Sequence, residues 1–210
     1  MVSMALIDYL QSNGESVVLI ETDTSNPDVW KAYGKTTNGN LVNLEEADGW
    51  ISLVNICGDE QNKDSIIVIN TRAANNQGVK KYGETLDSTL EELNRELITL
   101  WVINRQRDSL ELLKDFRESL PNSKISIIRN GYFGDESKYQ LYNNSKIKVS
   151  IENDGGKSLT FPDMADILAD DIYTKRMTIE EASKVLPIGN RAELKRWRTI
   201  ANAMFDEASK

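Results

Sequence analysis

The feature that most constrains this chain is a series of short aliphatic runs separated by segments with helical character. The runs lie at Ser16 to Ile20 (VVLI), Ser65 to Asn70 (SIIVIN), Leu97 to Ile103 (LITLWVI), Lys124 to Arg129, and Leu159 to Phe161. Uninterrupted runs rich in β-branched residues are typical of strands buried on both faces of a parallel sheet. Their alternation with helices predicts an α/β fold, a mostly parallel sheet with helices on both faces.

The intervening segments are predicted from apolar spacing and from turn residues. Helices are expected at Met1 to Gln11, Leu41 to Leu53, Thr85 to Leu93, from the end of the segment Asn104 to Ser109 to about Ser119, and at Asp163 to Tyr173. The strand SIIVIN is expected to be central in the sheet. Residues 135 to 158 are polar and lack a clear period, so they are predicted to be an excursion from the sheet.

The last 35 or so residues differ in kind, and we predict a helical C-terminal appendage at 176–210 on an α/β domain at 1–175. Thr178 is followed three residues later by Glu181, a capping box that begins a helix. Pro187 to Asn190 is expected to be a break. Arg191 to Ala208 then forms an amphipathic helix, whose apolar face around Trp197 is interpreted as core packing.

Composition excludes several classes of site. The 210 residues contain no histidine and one cysteine, Cys57, so His-based catalysis, an intramolecular disulfide and a Cys-cluster metal site are excluded. Cys57 is interpreted as an inert core residue in a cytoplasmic protein. The net charge of −8 argues against a global affinity for nucleic acid. No apolar run reaches the roughly 20 residues that cross a bilayer, so no membrane partner is expected.

Polar clusters stand where four of the predicted strands end. They are the segment TDTSNPD with Asp23, the residue Asn70, the segment NRQRDS with Arg105 and Arg107, and the segment RNGYFG with Asn130. Open parallel sheets bind ligands at the carboxyl ends of their strands. The sequence therefore predicts ligand contacts at these positions. The segment Gly155-Gly156-Lys157 does not follow a strand and open a helix, so it is not interpreted as a phosphate loop.

In their order along the chain, these clusters and the segment FPDMAD with Pro162 resemble the ParA/MinD group of P-loop ATPases, especially its plasmid and mobile-element branch. The resemblance covers most of the chain. In that group a strand and a Gly-rich loop ending in Gly-Lys-Ser/Thr precede the first helix. Met1 to Leu10 is similar to that helix, and the loop is not in this sequence. The expected fold is therefore P-loop NTPase-like with its first strand missing.

The resemblance implies ATP and Mg²⁺ as cofactors and assigns roles to four residues. Asp23 matches the carboxylate that orients the attacking water, and Asn130 matches the Asn that contacts the adenine edge. Pro162 matches a Pro-containing turn beside the base. Asn70 stands where the family has the Walker-B Asp, and an Asn lacks the charge that supports Mg²⁺. No metal ligand is therefore assigned, hydrolysis is in doubt, and this chain is expected to bind ATP poorly.

Each of these residues also has a structural interpretation. Asp23 suits an Asx turn, Asn70 suits the capping of a loop, and Asn130-Gly131 suits a tight turn. Arg105 and Arg107 suit a solvated helix start as well as a contact with a ligand or partner. On the last helix, Arg191, Lys195, Arg196 and Arg198 form a basic face that is either solvated or a contact for DNA or a partner protein.

Three functional hypotheses follow. The first is a ParA/MinD-like protein, dimerising with Mg-ATP, for plasmid or DNA partition or conjugative DNA maintenance with a partner protein. An upstream portion carrying the phosphate loop would then precede Met1 in the native protein. The second is a naturally short, non-hydrolysing relative that acts as a protein-interaction module. The third is an unrelated α/β domain.

Overall fold

The computed structural model describes residues 1–72 and 76–209. Strands and helices alternate along this length and every strand pairing is parallel, which confirms the predicted α/β class. The chain divides into two compact units, Met1–Asn75 with Met164–Asn202, and Asn76–Asp163 with Ala203–Lys210. The boundaries of these units do not lie at residue 175, where the α/β domain was predicted to end. The predicted appendage at 176–210 stays a prediction.

The strands and helices are labelled in chain order. The strands are β1 (Val17–Glu21), β2 (Asn40–Leu41), β3 (Ile66–Asn70), β4 (Ile98–Ile103), β5 (Lys124–Asn130) and β6 (Ser158–Phe161). The α-helices are α1 (Val2–Ser12), α2 (Asp28–Tyr33), α3 (Ala47–Gly58), α4 (Asn76–Tyr82), α5 (Glu84–Asp87), α6 (Asp108–Ser119), α7 (Gln140–Asn143), α8 (Lys146–Asn153), α9 (Asp166–Lys175), α10 (Ile179–Val185) and α11 (Ile188–Ala208).

The first unit contains a three-stranded parallel sheet in the order β2-β1-β3. All five residues of β1 are buried. Since successive side chains of a strand point to opposite faces, both faces of β1 are covered. Helix α1 packs against β1 and β3, and α2 packs against β1. The register places Glu21 beside Asn70, at the carboxyl ends of β1 and β3.

Helices α9 and α10 and most of α11 complete the first unit. The predicted capping box is present, because the Thr178 hydroxyl accepts from the Glu181 N–H at 3.1 Å and the Glu181 carboxylate accepts from the Thr178 N–H at 2.8 Å. Trp197 is buried, in agreement with its interpretation as core. The break before the last helix is shorter than predicted, since α11 already begins at Ile188.

The second unit contains a three-stranded parallel sheet in the order β4-β5-β6. Residues Ile125 to Arg129 of β5 are all buried, so both faces of this central strand are covered. Its core contains Ile103, Leu110, Leu113, Ile125, Ile127, Tyr139, Tyr142 and Ile151. The register places Asn130 beside Phe161, at the carboxyl ends of β5 and β6.

The described chain departs from the predicted sheet in one important respect. Instead of one sheet it has two, and within the described residues β3 pairs with β1 alone and β4 pairs with β5 alone. The strand SIIVIN is thus an edge strand and not the predicted central one. Ile98 and Val102 of β4 are 59% and 42% exposed. Such an open apolar edge is a site for pairing with a further strand.

Some local predictions were wrong. The predicted helix at Leu41 to Leu53 is replaced by β2 and by α3, which begins at Ala47, because Asn40–Leu41 pairs with β1. The predicted helix at Thr85 to Leu93 is the four-residue α5 followed by turns. The predicted excursion from the sheet at residues 135–158 is confirmed, since this segment forms α7 and α8 up to the start of β6 and contributes Tyr142 and Ile151 to the core.

Within residues 1–72 and 76–209, no helix combines the length and the apolar character that a membrane span requires.

Candidate functional site

The carboxyl ends of β1 and β3 carry a hydrogen-bonded group that we call the β1–β3 cluster, composed of Ser3, Glu21, Asp23 and Asn70. The Asn70 amide nitrogen donates to Glu21 Oε1 at 2.8 Å, and the Asp23 backbone N–H donates to the same oxygen at 3.0 Å. The Ser3 hydroxyl donates to Asn70 Oδ1 at 2.6 Å. The structure therefore brings together Asp23 and Asn70, both predicted site residues, through Glu21.

Glu21 is the buried centre of the cluster. Its relative exposure is 0%, and its Oε2 has no hydrogen-bond partner among the described residues. A buried carboxylate oxygen without a donor costs free energy, and native proteins rarely leave one so. Oε2 is thus an unsatisfied acceptor that is enclosed by the protein.

The α-amine of Met1 lies within electrostatic reach of the cluster. Burial lowers the pKa of this amine, while the carboxylates of Asp28 and Glu21 act in the opposite direction. The amine nevertheless makes no hydrogen bond with Glu21 Oε2. Burial is the largest of these influences, so the surroundings of this amine disfavour positive charge.

Asp23 is the accessible carboxylate of the cluster. Its Oδ1 accepts from the Ser25 hydroxyl at 2.6 Å and from the Asn26 N–H at 3.1 Å. The Ser25 hydrogen bond is the largest cause of a lowered pKa at Asp23. A backbone hydrogen bond from Ser25 also lowers this pKa. These bonds belong to the turn interpretation.

In the second unit, Asn130 and Pro162 lie at adjacent strand ends, since Asn130 is registered with Phe161. The Asn130 Oδ1 accepts from the Tyr132 N–H at 3.2 Å and caps a turn. Its amide nitrogen donates to none of the described residues. A Cβ on Gly131 would lie 2.4 Å from the Phe161 carbonyl oxygen, so only glycine permits this approach to β6. The tight-turn interpretation holds, and one donor of Asn130 remains available.

Arg105 and Arg107 follow β4 at the same end of the second sheet. Arg107 pairs with Glu111 at 2.9 Å, with both side chains exposed, as the solvated-helix-start interpretation predicts. Arg105 has no acidic partner among the described residues. Burial raises the pKa of Tyr139, and the Arg105 charge opposes that rise. Because the Tyr139 hydroxyl donates to the Asn130 carbonyl, Arg105 and Asn130 lie around one corner of this unit.

The basic residues predicted to form one face of α11 differ in whether they have an acidic partner within the chain. Arg196 pairs with Glu193 one turn away, and Arg198 forms two hydrogen bonds with the buried Asp8 at 2.9 and 3.0 Å. Arg191 and Lys195 have no acidic partner among the described residues. Two of the four predicted contact residues are therefore committed to ion pairs within the chain. A DNA or partner contact on this helix stays a prediction.

No protein-family model matches this chain. The chain is similar to Protein MobD of Acidithiobacillus ferrooxidans, with 61% identity over 206 residues, which is 98% of this chain and 90% of that protein. The chain belongs to the MobD family. Because the match covers nearly the whole chain, the MobD-family similarity extends over both compact units and over the strand ends of each.

Two residues of the β1–β3 cluster were not identified as site residues from the sequence. Glu21 is the last residue of an otherwise aliphatic strand, and an acid in a buried run is the signal that would have found it. Ser3 lies in α1 and carries no such signal, since its role depends on the contact with Asn70, which is 67 residues away.

Proposed function

We propose that this MobD-family chain is a nucleotide-binding protein of ParA/MinD type that acts in plasmid or DNA partition or in conjugative DNA maintenance. The observation that carries the proposal is the β1–β3 cluster, in which Asp23 and Asn70 meet at the carboxyl ends of neighbouring parallel strands. Ligands of open parallel sheets bind at such ends. The available amide nitrogen of Asn130 at the strand ends of the second unit supports the same interpretation.

Asp23 is proposed to orient the attacking water. Its lowered pKa keeps it ionised at neutral pH and makes it a weak base, so it is better suited to hold a water than to remove its proton. This role agrees with phosphoryl transfer, in which positioning and electrostatics supply most of the catalysis.

Asn130 is proposed to contact the base through its amide nitrogen. Oδ1 already accepts from the Tyr132 N–H but has a second lone pair, so the side chain can donate to a ring nitrogen and still accept one further hydrogen bond. Pro162 lies beside it, where it can contact a face of the base.

The residues fit Mg²⁺ and ATP to different degrees. Among the described residues there is no group of three or more acidic, histidine or cysteine side chains that could hold a metal ion. Mg²⁺ commonly takes only one or two carboxylates and completes its shell with water and phosphate. Of the two carboxylates in the cluster, the partly exposed Asp23 suits it, whereas the fully buried Glu21 leaves no room for the water shell. When bound, Mg²⁺ would neutralise phosphate charge. Gly155–Lys157 lies between α8 and β6, and Lys157 donates to the Glu207 carbonyl, so this segment offers no phosphate loop.

The test begins with the protein purified from its own cell. Its intact mass is compared with the 23.7 kDa of this chain, and ATP binding with Mg²⁺ is measured on both forms by calorimetry. We expect the 210-residue chain to bind ATP poorly or not at all. If the native form is longer, we expect it to bind ATP, and Asp23→Asn to reduce turnover more than affinity. A longer native form that neither binds nor hydrolyses ATP would contradict the proposal.

The second candidate is a non-hydrolysing interaction module. It is favoured by Asn70, which lacks the charge of a Walker-B Asp, and by the open edge of β4 with the exposed Ile98 and Val102. In that case the native protein would have the mass of this chain, and Asp23→Asn would leave partner capture unchanged. The comparison of Asp23→Asn with wild type in ATP turnover and in partner capture separates the two functions.

A further inference from the structure

Three helices of the first unit leave aliphatic side chains exposed to solvent. Val185 at the end of α10 and Ile188 at the start of α11 are 68% and 80% exposed, and Ile167 of α9 is 65% exposed. All three lie in the segment Met164–Asn202 of that unit. Exposed apolar surface that is rimmed by polar residues marks a contact for another molecule. The charges beside these side chains indicate what that molecule is.

The first surface, which we call the α10–α11 surface, consists of Val185, Ile188, Arg191 and Lys195. Residues three, four and seven positions apart share one face of a helix, so Ile188, Arg191 and Lys195 form one exposed stripe on α11. Arg191 and Lys195 have no acidic partner among the described residues, whereas Arg196 and Arg198 are each in an ion pair. This surface therefore combines exposed apolar side chains with two uncompensated positive charges.

The second surface, which we call the α9 surface, consists of Asp166, Ile167 and Asp170. These positions lie within one turn of α9, and all three side chains are exposed. Asp166 and Asp170 have no basic partner in the described part of the chain, whereas the neighbouring Asp171 is paired with Lys175. The α9 surface thus has the composition of the α10–α11 surface with the opposite charge.

We infer that the two surfaces bind each other between two copies of this chain, the α9 surface of one copy on the α10–α11 surface of the other. The Asn190 amide nitrogen of α11 donates to Asp171 of α9 at 3.4 Å, so the two helices are neighbours within the unit. Surfaces of opposite charge on neighbouring helices allow a two-fold arrangement, in which each copy contributes both surfaces and the assembly closes as a dimer. The charges set the register, and the aliphatic side chains lose contact with water.

DNA fits the α10–α11 surface less well than a second copy does. Among the described residues of this surface only two cations are uncompensated, while non-specific DNA binding draws its affinity from many phosphate contacts. The net charge of −8 opposes DNA further. Phosphates also leave Val185 and Ile188 without an apolar partner, which Ile167 of a second copy supplies. The inference goes beyond the proposed function, because this contact needs no nucleotide.

The test is sedimentation equilibrium of the 210-residue chain at low ionic strength without nucleotide. Low ionic strength is used because salt screens charges on exposed surfaces. One variant reverses the α10–α11 surface, Arg191→Glu with Lys195→Glu. The other reverses the α9 surface, Asp166→Lys with Asp170→Lys. Each protein is also made with Ile98→Lys, so that association through the open β4 edge is measured separately.

Charge-matched controls come from exposed residues of the second unit. Lys80→Glu with Lys146→Glu has the net charge of the first variant, and Glu91→Lys with Glu92→Lys has that of the second. Ile188→Ser tests the apolar contribution. Since Ile188 is largely exposed, its variant should keep the thermal midpoint of wild type.

We expect wild type to dimerise and either reversal to raise the dimer Kd at least about tenfold relative to its control, because like charges then face each other. Ile188→Ser should also weaken the dimer. An equimolar mixture of the two reversal variants should regain it, since both surfaces of the first variant are then acidic and both surfaces of the second are basic.

The inference is overturned if wild type is monomeric at every concentration, or if a reversal variant dimerises as tightly as its control. It is equally overturned if the mixture of reversal variants stays monomeric while both remain folded. A monomeric wild type whose binding to a DNA duplex is lost in Arg191→Glu with Lys195→Glu would assign the α10–α11 surface to DNA instead.

Discussion

The ion pair between Asp8 and Arg198 permits the sharpest stability prediction. Asp8 lies in α1 and is 4% exposed, and Arg198 lies in α11 with a side chain that is 22% exposed. The guanidinium donates to both carboxylate oxygens, at 2.9 and 3.0 Å. Burial is the largest influence on Asp8 and raises its pKa, and the attraction of Arg198 only partly offsets it. The pair therefore compensates a buried charge more than it adds stability.

The variant Arg198→Met leaves Asp8 buried without its partner. Removal of one member of a buried ion pair costs about 3–5 kcal/mol, and the partial exposure of Arg198 places the expected loss near the lower end, about 3 kcal/mol. At about 2–4 °C per kcal/mol for a chain of this size, the midpoint of thermal unfolding should fall by about 6–12 °C. Asp8→Asn with Arg198→Met should recover at least about 1 kcal/mol, since it removes the unpaired charge.

The loss should also depend on pH in a defined direction. With Arg198 removed, burial raises the pKa of Asp8 further above its ordinary value of about 3.9. An acid whose pKa is raised in the folded state takes up a proton more readily there, so the folded state is favoured as pH falls. The destabilisation by Arg198→Met should therefore be largest above the raised pKa and shrink as pH falls towards the ordinary value.

The assay is urea and thermal unfolding by circular dichroism at neutral and mildly acidic pH, on wild type, both single variants and the double variant. Asp8→Asn alone reports the cost of leaving Arg198 without its acid. The reasoning is refuted if Arg198→Met costs less than about 1 kcal/mol at neutral pH. It is equally refuted if the loss grows on acidification, or if the double variant is no more stable than Arg198→Met.

Three further predictions concern substitutions of single residues. Thr178→Ala should cost about 1 kcal/mol in the free energy of unfolding, because it removes the capping hydroxyl of α10, and Thr178→Ser should lose much less. Gly131→Ala should destabilise the second unit by about 1–3 kcal/mol, since its Cβ would lie 2.4 Å from the Phe161 oxygen; an unchanged midpoint would contradict this. Where sedimentation shows self-association of wild type, Ile98→Lys should reduce it, because a charge on the open β4 edge opposes strand pairing; unaltered association would show that this edge is not used.

The elements that could be predicted from the sequence were those specified by their own residues. The aliphatic runs of β1, β3, β4 and β5 and the capping box of α10 are local signals, and each element formed where it was expected. Strand β2 has only two residues, which are too few to show the alternating pattern of a strand, so its pairing with β1 could not be predicted from the sequence. Helices α7 and α8 lie in a polar segment, and their few inward residues become a pattern only when the core beneath them is known.

The candidate site was likewise predictable only where its residues follow a local sequence signal. Asp23, Asn70 and Asn130 could be found because a polar residue directly after an apolar run is visible in the sequence. The division into two sheets could not be found, since it depends on which strand edges meet. Nor could the assignment of Arg198 to Asp8, which joins residues 190 positions apart. The sequence of α11 alone therefore overstates the number of basic side chains that are available to contact DNA.

Glu21 and Asn70 show why the two kinds of information must be combined. Taken singly, Glu21 is an acid in an unfavourable position and Asn70 is an amide where a charge is expected. The parallel register places them side by side, and the 2.8 Å hydrogen bond makes each account for the other. The amide donates to one oxygen of the buried carboxylate, and the carboxylate fixes the orientation of the amide. The hydrogen bond therefore gives Asn70 a structural role, the orientation of a buried carboxylate, that neither residue shows in the sequence alone.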